Sequence, residues 1–189
     1  MARRRQAMTN ADTTGLRPAI FMDRDNTLTV DAKGYTWRLS DFALIDGAAE
    51  SLALFHKLGL PVFVVTNQGG IGKGLYSRDD MQHFHDRLAA EAIAAGGMIT
   101  DFAFCPHHPD AHDPALRTPC SWRKPAPGMI LALAERWQID LAASVMVGDR
   151  DSDVAAGKAA GCHAYRFDGG NLLPLSQHIV TTHFNGARL

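Results

Sequence analysis

The apolar run Ile20-Phe21-Met22 ends in two carboxylates two residues apart, Asp23 and Asp25, with Asn26 and Thr27 just beyond. A run of this kind suits one buried strand, so Asp23 should emerge where the strand stops. In open α/β sheets, ligands bind at those carboxyl ends. Asp23 and Asp25 leave the strand with the same alternation sense, so both can reach one small ligand. Later segments add to the set. Thr66 and Asn67 follow a second apolar run, Asp149 and Asp153 a fourth, and Arg123 and Lys124 stand just ahead of a helical pattern. Gathered at one rim, these are the parts that phosphoryl transfer through an aspartate requires. A carboxylate attacking a phosphate dianion meets repulsion of about 1 kcal/mol per charge pair at 4 Å in water, and about 4 at an effective dielectric of 20. A Mg²⁺ held by two or three oxygen ligands, together with one lysine, offsets that cost. Water must then finish the reaction, and the departing alcohol needs a proton. Asp25, beside the attacking residue, is placed to give that proton and afterwards to deprotonate the water.

Two plainer readings compete. A calcium loop starting at Asp23 would want Gly at its sixth position and Glu at its twelfth; those positions hold Leu28 and Gly34. A surface turn rich in Asp and Asn accounts for residues 23–27 taken alone. It does not account for the acids, hydroxyl and lysine at the other strand ends.

The elements that must position these residues alternate. Residues 18–23 predict the first strand, and residues 26–45 a loop or small flap with Tyr35 and Trp37. Asp46 reads as the N-cap of a helix that buries Ala48, Leu52 and Phe55 and stops at Gly59. Residues 60–66 predict the second strand, followed by a glycine-crowded loop through Gly69, Gly70, Gly72 and Gly74 that includes Lys73. Ser77 and Asp80 form a capping-box signature for a helix burying Met81, Phe84 and Leu88. Residues 98–105 predict a third strand, then a polar, proline-rich loop to Pro127 and a helix with Ile130, Leu133 and Trp137 on one face. Residues 144–148 and 163–167 predict strands four and five, around a helix ended by Gly161, and Ile179-Val180 predicts the start of one more short strand. Strands alternating with helices imply a parallel sheet with right-handed crossovers and helices on both faces, a Rossmann-like α/β fold.

A chain of 189 residues can bury roughly 70% of its unfolded surface in one domain. The net charge of −1 gives no reason to expect nucleic acid or an anionic membrane as partner, and no apolar run approaches the ~20 residues of a membrane helix. Residues 1–17 carry Arg3, Arg4 and Arg5 without a following apolar stretch. They read as a mobile polar arm rather than a secretory signal, and residues 18–189 as a single domain. The 3 cysteines do not make a disulfide framework, so the expected compartment is the cytoplasm.

Four segments in order, Asp23-Arg24-Asp25-Asn26-Thr27, Thr66-Asn67-Gln68-Gly69-Gly70, Arg123-Lys124-Pro125 and Gly148-Asp149-Arg150-Asp151-Ser152-Asp153, resemble the four motifs of the haloacid dehalogenase (HAD) superfamily of phosphatases. The resemblance implies Asp23 as nucleophile and Asp25 as general acid/base. It implies Thr66 and Asn67 as ligands of the transferring phosphoryl group, with Lys124 neutralising it and Arg123 beside it. Mg²⁺ would sit between Asp23, the Asp25 main-chain carbonyl and Asp149, with Asp153 in support. The chain most resembles the subfamily IIIA group of heptose bisphosphate phosphatases and histidinol-phosphatases, through Asp-Arg-Asp, the Gly70–Gly74 loop and Cys105-Pro106-His107-His108-Pro109. The middle stretch favours the heptose enzyme. The implied substrate is a small sugar phosphate; the oligomeric state is left open by the sequence, with a monomer the expectation. A receiver-like domain that keeps its phosphate without turnover is the rival from another class; the acid/base at Asp25 argues against storage.

In that group the loop after the third strand holds a structural zinc through Cys-x-His and Cys-x-Cys. This sequence has Cys105, His107 and Cys120, but Trp122 stands where the fourth ligand belongs. Structural zinc is four-coordinate, so either His108, His112 or Asp113 completes the set or Trp122 orders the loop by packing. Asn26 replaces a glycine after the second Asp, a position that Asn tolerates in left-handed conformation. Lys73 replaces an arginine, a point charge for a bidentate fork. The two places where the superfamily inserts a cap domain hold only loop-length segments. The resemblance therefore implies a capless, open site, with selectivity left to Lys73, Arg123 and the Tyr35–Trp37 flap.

Overall fold

The computed structural model describes residues 15–184. Along the chain run β1 (Ile20–Met22), α1 (Ala48–Lys57), β2 (Val62–Asn67), α2 (Gly69–Gly72), α3 (Arg78–Ala94), β3 (Asp101–Cys105), α4 (Gly128–Trp137), β4 (Val145–Gly148), α5 (Asp151–Ala160), β5 (His163–Arg166) and α6 (Leu173–Ile179). The strands form one parallel sheet in the order β3-β2-β1-β4-β5. Alternation splits each central strand between two cores. Ile20, Met22, Val62, Val64, Val145 and Val147 pack with α1, α3 and α6. Phe21, Phe63, Val65 and Met146 pack with α4 and α5 on the opposite face. Both faces are covered, as an all-parallel sheet requires, and the fold is the expected Rossmann-like α/β arrangement.

Several local expectations hold. Asn26 takes φ 57°, and its side-chain oxygen accepts the Asp31 N–H at 2.9 Å. Ser77 and Asp80 exchange both bonds of the capping box. Neither candidate cap insertion builds a domain: residues 26–45 contain one short turn of 3₁₀-helix, Leu39–Asp41, and residues 106–127 contain another, Pro114–Leu116.

Three expectations are corrected. The N-cap of α1 is Gly47 rather than Asp46; it takes φ 77° and makes no side-chain cap bond. A Cβ there would run into Asn171, so close packing against the C-terminal segment selects glycine over a capping side chain. The glycine stretch after β2 begins as the helical turn α2, because Gly69 and Gly72 let His108 and the Pro106 carbonyl pack directly onto its backbone. Ile179-Val180 is not a strand. It joins α6 to a π-helical turn, Val180–Phe184, and the helical spacing of Leu172, Ile179 and Phe184 carries all three into the core. Of the arm assigned to residues 1–17, residues 1–14 lie outside the described residues. Arg17 is fixed by pairing with the segment after α4, donating to Gln138 and accepting from Asp140.

Candidate active site

The chain order reverses beside β1, which has β2 on one side and β4 on the other. A crevice opens at the carboxyl end of a parallel sheet at such a switch point. The Asp23 N–H donates to the Val147 carbonyl at 2.9 Å, which locks the end of β1 to β4. Carboxylate oxygens of Asp23, Asp149 and Asp153 then lie within 4.8 Å of one another. Lys124 reaches in from the segment before α4. Its Nζ stands 2.6 Å from Asp23 Oδ1, 2.7 Å from Asp153 Oδ1 and 2.8 Å from the Val65 carbonyl. Asp153 folds back over the end of β4, accepting the Arg150 N–H at 2.9 Å. Only a glycine fits beneath it, because a Cβ at Gly148 would collide with the Asp153 side chain.

The electrostatics of this cluster are unbalanced. Three carboxylates face one buried ammonium group and, at the exposed edge, the Arg150 guanidinium 3.8 Å from Asp149 Oδ2, which leaves the cluster net negative. Burial, then the charges of Asp23 and Asp153, push the Asp149 carboxyl up to about 6. Burial likewise pushes Asp153 up despite Lys124 beside it. Burial pulls the Lys124 pKa down, but Asp23 and Asp153 outweigh it and hold the pKa above the usual lysine value. Asp149 Oδ1 is buried without a hydrogen-bond partner. Unpaired buried oxygens and surplus negative charge are what a hard divalent cation satisfies. The residues fit Mg²⁺.

Asp25 lines the same crevice, but its carboxylate is not one of the three that cluster. Arg24 grips it with Nε on Oδ1 at 2.8 Å and Nη2 on Oδ2 at 3.0 Å. The guanidinium is itself held by the Thr36 carbonyl at 2.9 Å, the His85 ring nitrogen at 3.4 Å and the face of Phe84. Burial, then the Arg24 charge, drive the His85 pKa down to about 3, so the ring is neutral and can accept from Arg24. Any metal ligand from residue 25 would be its main-chain carbonyl.

Thr66 and Asn67 stand at the end of β2 and border the crevice. The Asn67 side-chain amide exchanges two bonds with the Lys124 backbone, each 3.0 Å, and so ties the lysine loop to the sheet. One of its two N–H groups remains for a ligand. Arg123 also borders the crevice, steadied by donation to the His107 carbonyl at 2.7 Å. Sequence reasoning missed Arg24 as an anchor, together with Gln68, Tyr76 and His85. Arg24 and Gln68 lay inside motifs already quoted, and a charged side chain flanked by two site carboxylates is a usable signal. Tyr76 and His85 carried no signal of their own.

A second cluster joins Cys105, His107 and Cys120, whose ligand atoms lie within 4.8 Å of one another. Cys105 Sγ is 3.6 Å from His107 Nδ1 and 3.7 Å from Cys120 Sγ. None of the proposed substitutes joins it. His108 Nδ1 accepts the Asp110 N–H, Asp113 caps the turn at Ala115, and His112 sits against Gly74. Trp122 is partly exposed. These three donors are one short of the closed four-donor set of structural zinc.

Residues 121–173 match a family model described as HAD-hydrolase-like. The chain is 39% identical over 153 residues to a D-glycero-beta-D-manno-heptose-1,7-bisphosphate 7-phosphatase of Rhodopseudomonas palustris, covering 81% of this chain and 84% of that one. It is 40% identical over 143 residues to the alpha-anomer enzyme of Burkholderia mallei, covering 76% and 75%. Its fold matches the crystal structure of a D,D-heptose 1,7-bisphosphate phosphatase from B. bronchiseptica, complexed with magnesium and phosphate, with a TM-score of 0.73 and 29% identity over 85% of this chain and 86% of that one. With the four motifs converging at one rim of the sheet, the chain belongs to the haloacid dehalogenase superfamily of phosphatases, within the family of these heptose bisphosphate phosphatases.

Proposed function

We propose that the substrate is a heptose 1,7-bisphosphate or a closely similar sugar phosphate, and that one phosphoryl group, the 7-phosphate of the heptose, is transferred to Asp23 and then to water. Asp23, Asp149 and the Asp25 carbonyl would hold Mg²⁺, with Asp153 in support, and the bound ion supplies positive charge against the repulsion between nucleophile and phosphate. Asp23 is the attacking carboxylate. Lys124, already on Asp23 and Asp153, adds one fixed positive charge where the phosphoryl group arrives. The Thr66 hydroxyl and the remaining Asn67 amide hydrogen bind phosphoryl oxygens, and Arg123 adds a fork at the mouth. Asp25 protonates the departing sugar oxygen and then takes a proton from the attacking water. The Cys105, His107 and Cys120 donors supply three of the four ligands of structural zinc. Zinc held there is exchangeable and takes no part in the chemistry.

One observation carries this reading: three acids delivered by β1, β4 and α5 converge within 4.8 Å, and the two buried ones, Asp23 and Asp153, share a single buried lysine. The similarity to the heptose bisphosphate phosphatases supports the choice of substrate. The test is kcat/KM for heptose 1,7-bisphosphate, both anomers, against histidinol phosphate and a panel of hexose phosphates. The heptose compound is expected to lead by at least about tenfold, and a lead for histidinol phosphate would reassign the substrate.

A further inference from the structure

Resting on the assignment of Asp25 as acid/base, we infer that Gln68, held in place by Tyr76, is a positioning residue whose amide orients both the Asp25 carboxylate and the Thr66 hydroxyl. Gln68 Nε2 donates to Asp25 Oδ2 at 2.9 Å and to Thr66 Oγ1 at 2.8 Å. Its other end accepts the Tyr76 hydroxyl at 2.6 Å. Gln68, Thr66 and Tyr76 are all buried. The direction of the amide follows from donor and acceptor inventory. An ionised carboxylate only accepts, so the NH₂ end must face Asp25, and the carbonyl end is left for the phenol.

The consequence for Thr66 is specific. A hydroxyl has one hydrogen. With a lone pair occupied by Gln68, Thr66 is free to aim that hydrogen into the crevice, where a phosphoryl oxygen would accept it. The consequence for Asp25 is a fixed rotamer. Arg24 holds the carboxylate from one side and Gln68 from the other, leaving the remaining lone pairs to face the substrate. Tyr76 is seated by stacking on Trp37, with ring centroids 5.9 Å apart, and by the missing side chain of Gly70, where a Cβ would collide with the Tyr76 ring. Burial, the largest influence on this phenol, keeps it protonated and a donor. One amide thus couples the group that moves protons to a group that binds phosphate.

The experiment reads dependence on the leaving group. A series of aryl phosphates from 2,4-dinitrophenyl to unsubstituted phenyl is run in single turnover with the Mg²⁺-loaded full chain, measuring phenol release. Dinitrophenolate leaves without a proton; phenolate needs one. Gln68→Met and Tyr76→Phe should each lose at least about tenfold more on phenyl phosphate than on dinitrophenyl phosphate, with Gln68→Met the larger, and Asp25→Asn should show the same steepening. Tyr76→Phe keeps the ring and therefore the packing, so it remains informative if Gln68→Met folds poorly. Equal losses across the series in both variants, alongside a steep Asp25→Asn, would overturn the inference and leave the acid/base assignment standing. A flat Asp25→Asn would remove both.

Discussion

Two ligand clusters stand at the carboxyl rim of this sheet, and they are built differently. In the first, Asp23 and Asp149 leave adjacent central strands and Asp153 begins the helix that follows, so the sheet itself sets their separation. Three of its four members are tied from outside: Asp23 by its bond to Val147, Asp153 by the Arg150 amide, Lys124 by Val65 and Asn67. In the second, Cys105 ends the edge strand β3 while His107 and Cys120 belong to the loop that follows. Burial pushes the Cys105 thiol up to about 11, an unreactive environment, although the Arg123 charge pulls the other way. The lesson is about tolerance. An over-determined set cannot lose a member without losing chemistry, whereas a loop cluster can stand one donor short of four and still hold its three donors together.

That contrast is most severely tested at Asp23. On the proposed mechanism Asp23→Asn replaces the attacking carboxylate by an amide of the same shape, and turnover of an aryl phosphate should fall by at least about 10⁴-fold with the far-UV circular dichroism unchanged. Chelation by EDTA should abolish turnover just as completely. Re-adding Mg²⁺ should restore it and re-adding Zn²⁺ should not. Restoration by zinc alone would invert the ranking of the two clusters.

Lys124→Met comes next. It leaves Asp23 and Asp153 buried and facing one another without their shared cation, a loss of about 3–5 kcal/mol for a broken buried pair. Turnover should fall about 10³-fold, and millimolar Mg²⁺ should recover part of the thermal stability but not the rate. A melting temperature within a degree of the parent would mean that Lys124 contributes little to holding the cluster. Gly148→Ala is milder. Its Cβ pushes on the Asp153 side chain, so about 1–3 kcal/mol of stability and roughly tenfold in kcat should be lost together. Stability lost at unchanged kcat would show that the position of Asp153 is looser than described.

Much of the acid cluster was legible because strand ends are the most predictable points of a parallel α/β fold. Asp23, Thr66 and Asp149 each follow an apolar run, and the runs state where the rim lies. What stayed hidden depends on partners far along the chain. Arg24 sits between two site acids, yet its anchors are Thr36 and a histidine 61 residues away on α3, and no local pattern names them. Asn67 was rightly placed at the rim, but nothing in its neighbourhood shows that its amide is engaged by the Lys124 backbone. Ile179-Val180 misled for another reason. Two β-branched residues suggest a strand only while the helical spacing from Leu172 to Ile179 goes uncounted.

Trp122→Cys is the smallest change and the one that sharpens the contrast furthest. Trp122 already places its backbone N–H 3.4 Å from Cys120 Sγ, so the loop turns back toward the cluster at this residue, and the side chain it presents is partly exposed. A cysteine there would give a Cys-x-Cys pair with Cys120 and bring the donors to four. The variant should bind one equivalent of Zn²⁺ at least about tenfold more tightly than the parent chain. At a hundredfold excess of zinc over its dissociation constant, the stabilisation is about 2.7 kcal/mol, or roughly 5–10 °C in melting temperature for a chain of this size. Turnover should stay within about twofold, because none of the groups on the phosphoryl path moves. Zinc titration monitored by mass spectrometry, paired with a melting curve and an aryl phosphatase assay, reads all three at once. Gained zinc with a large change in kcat would mean that the loop reaches the catalytic cluster through Arg123 and Lys124, and that the two clusters are mechanically one.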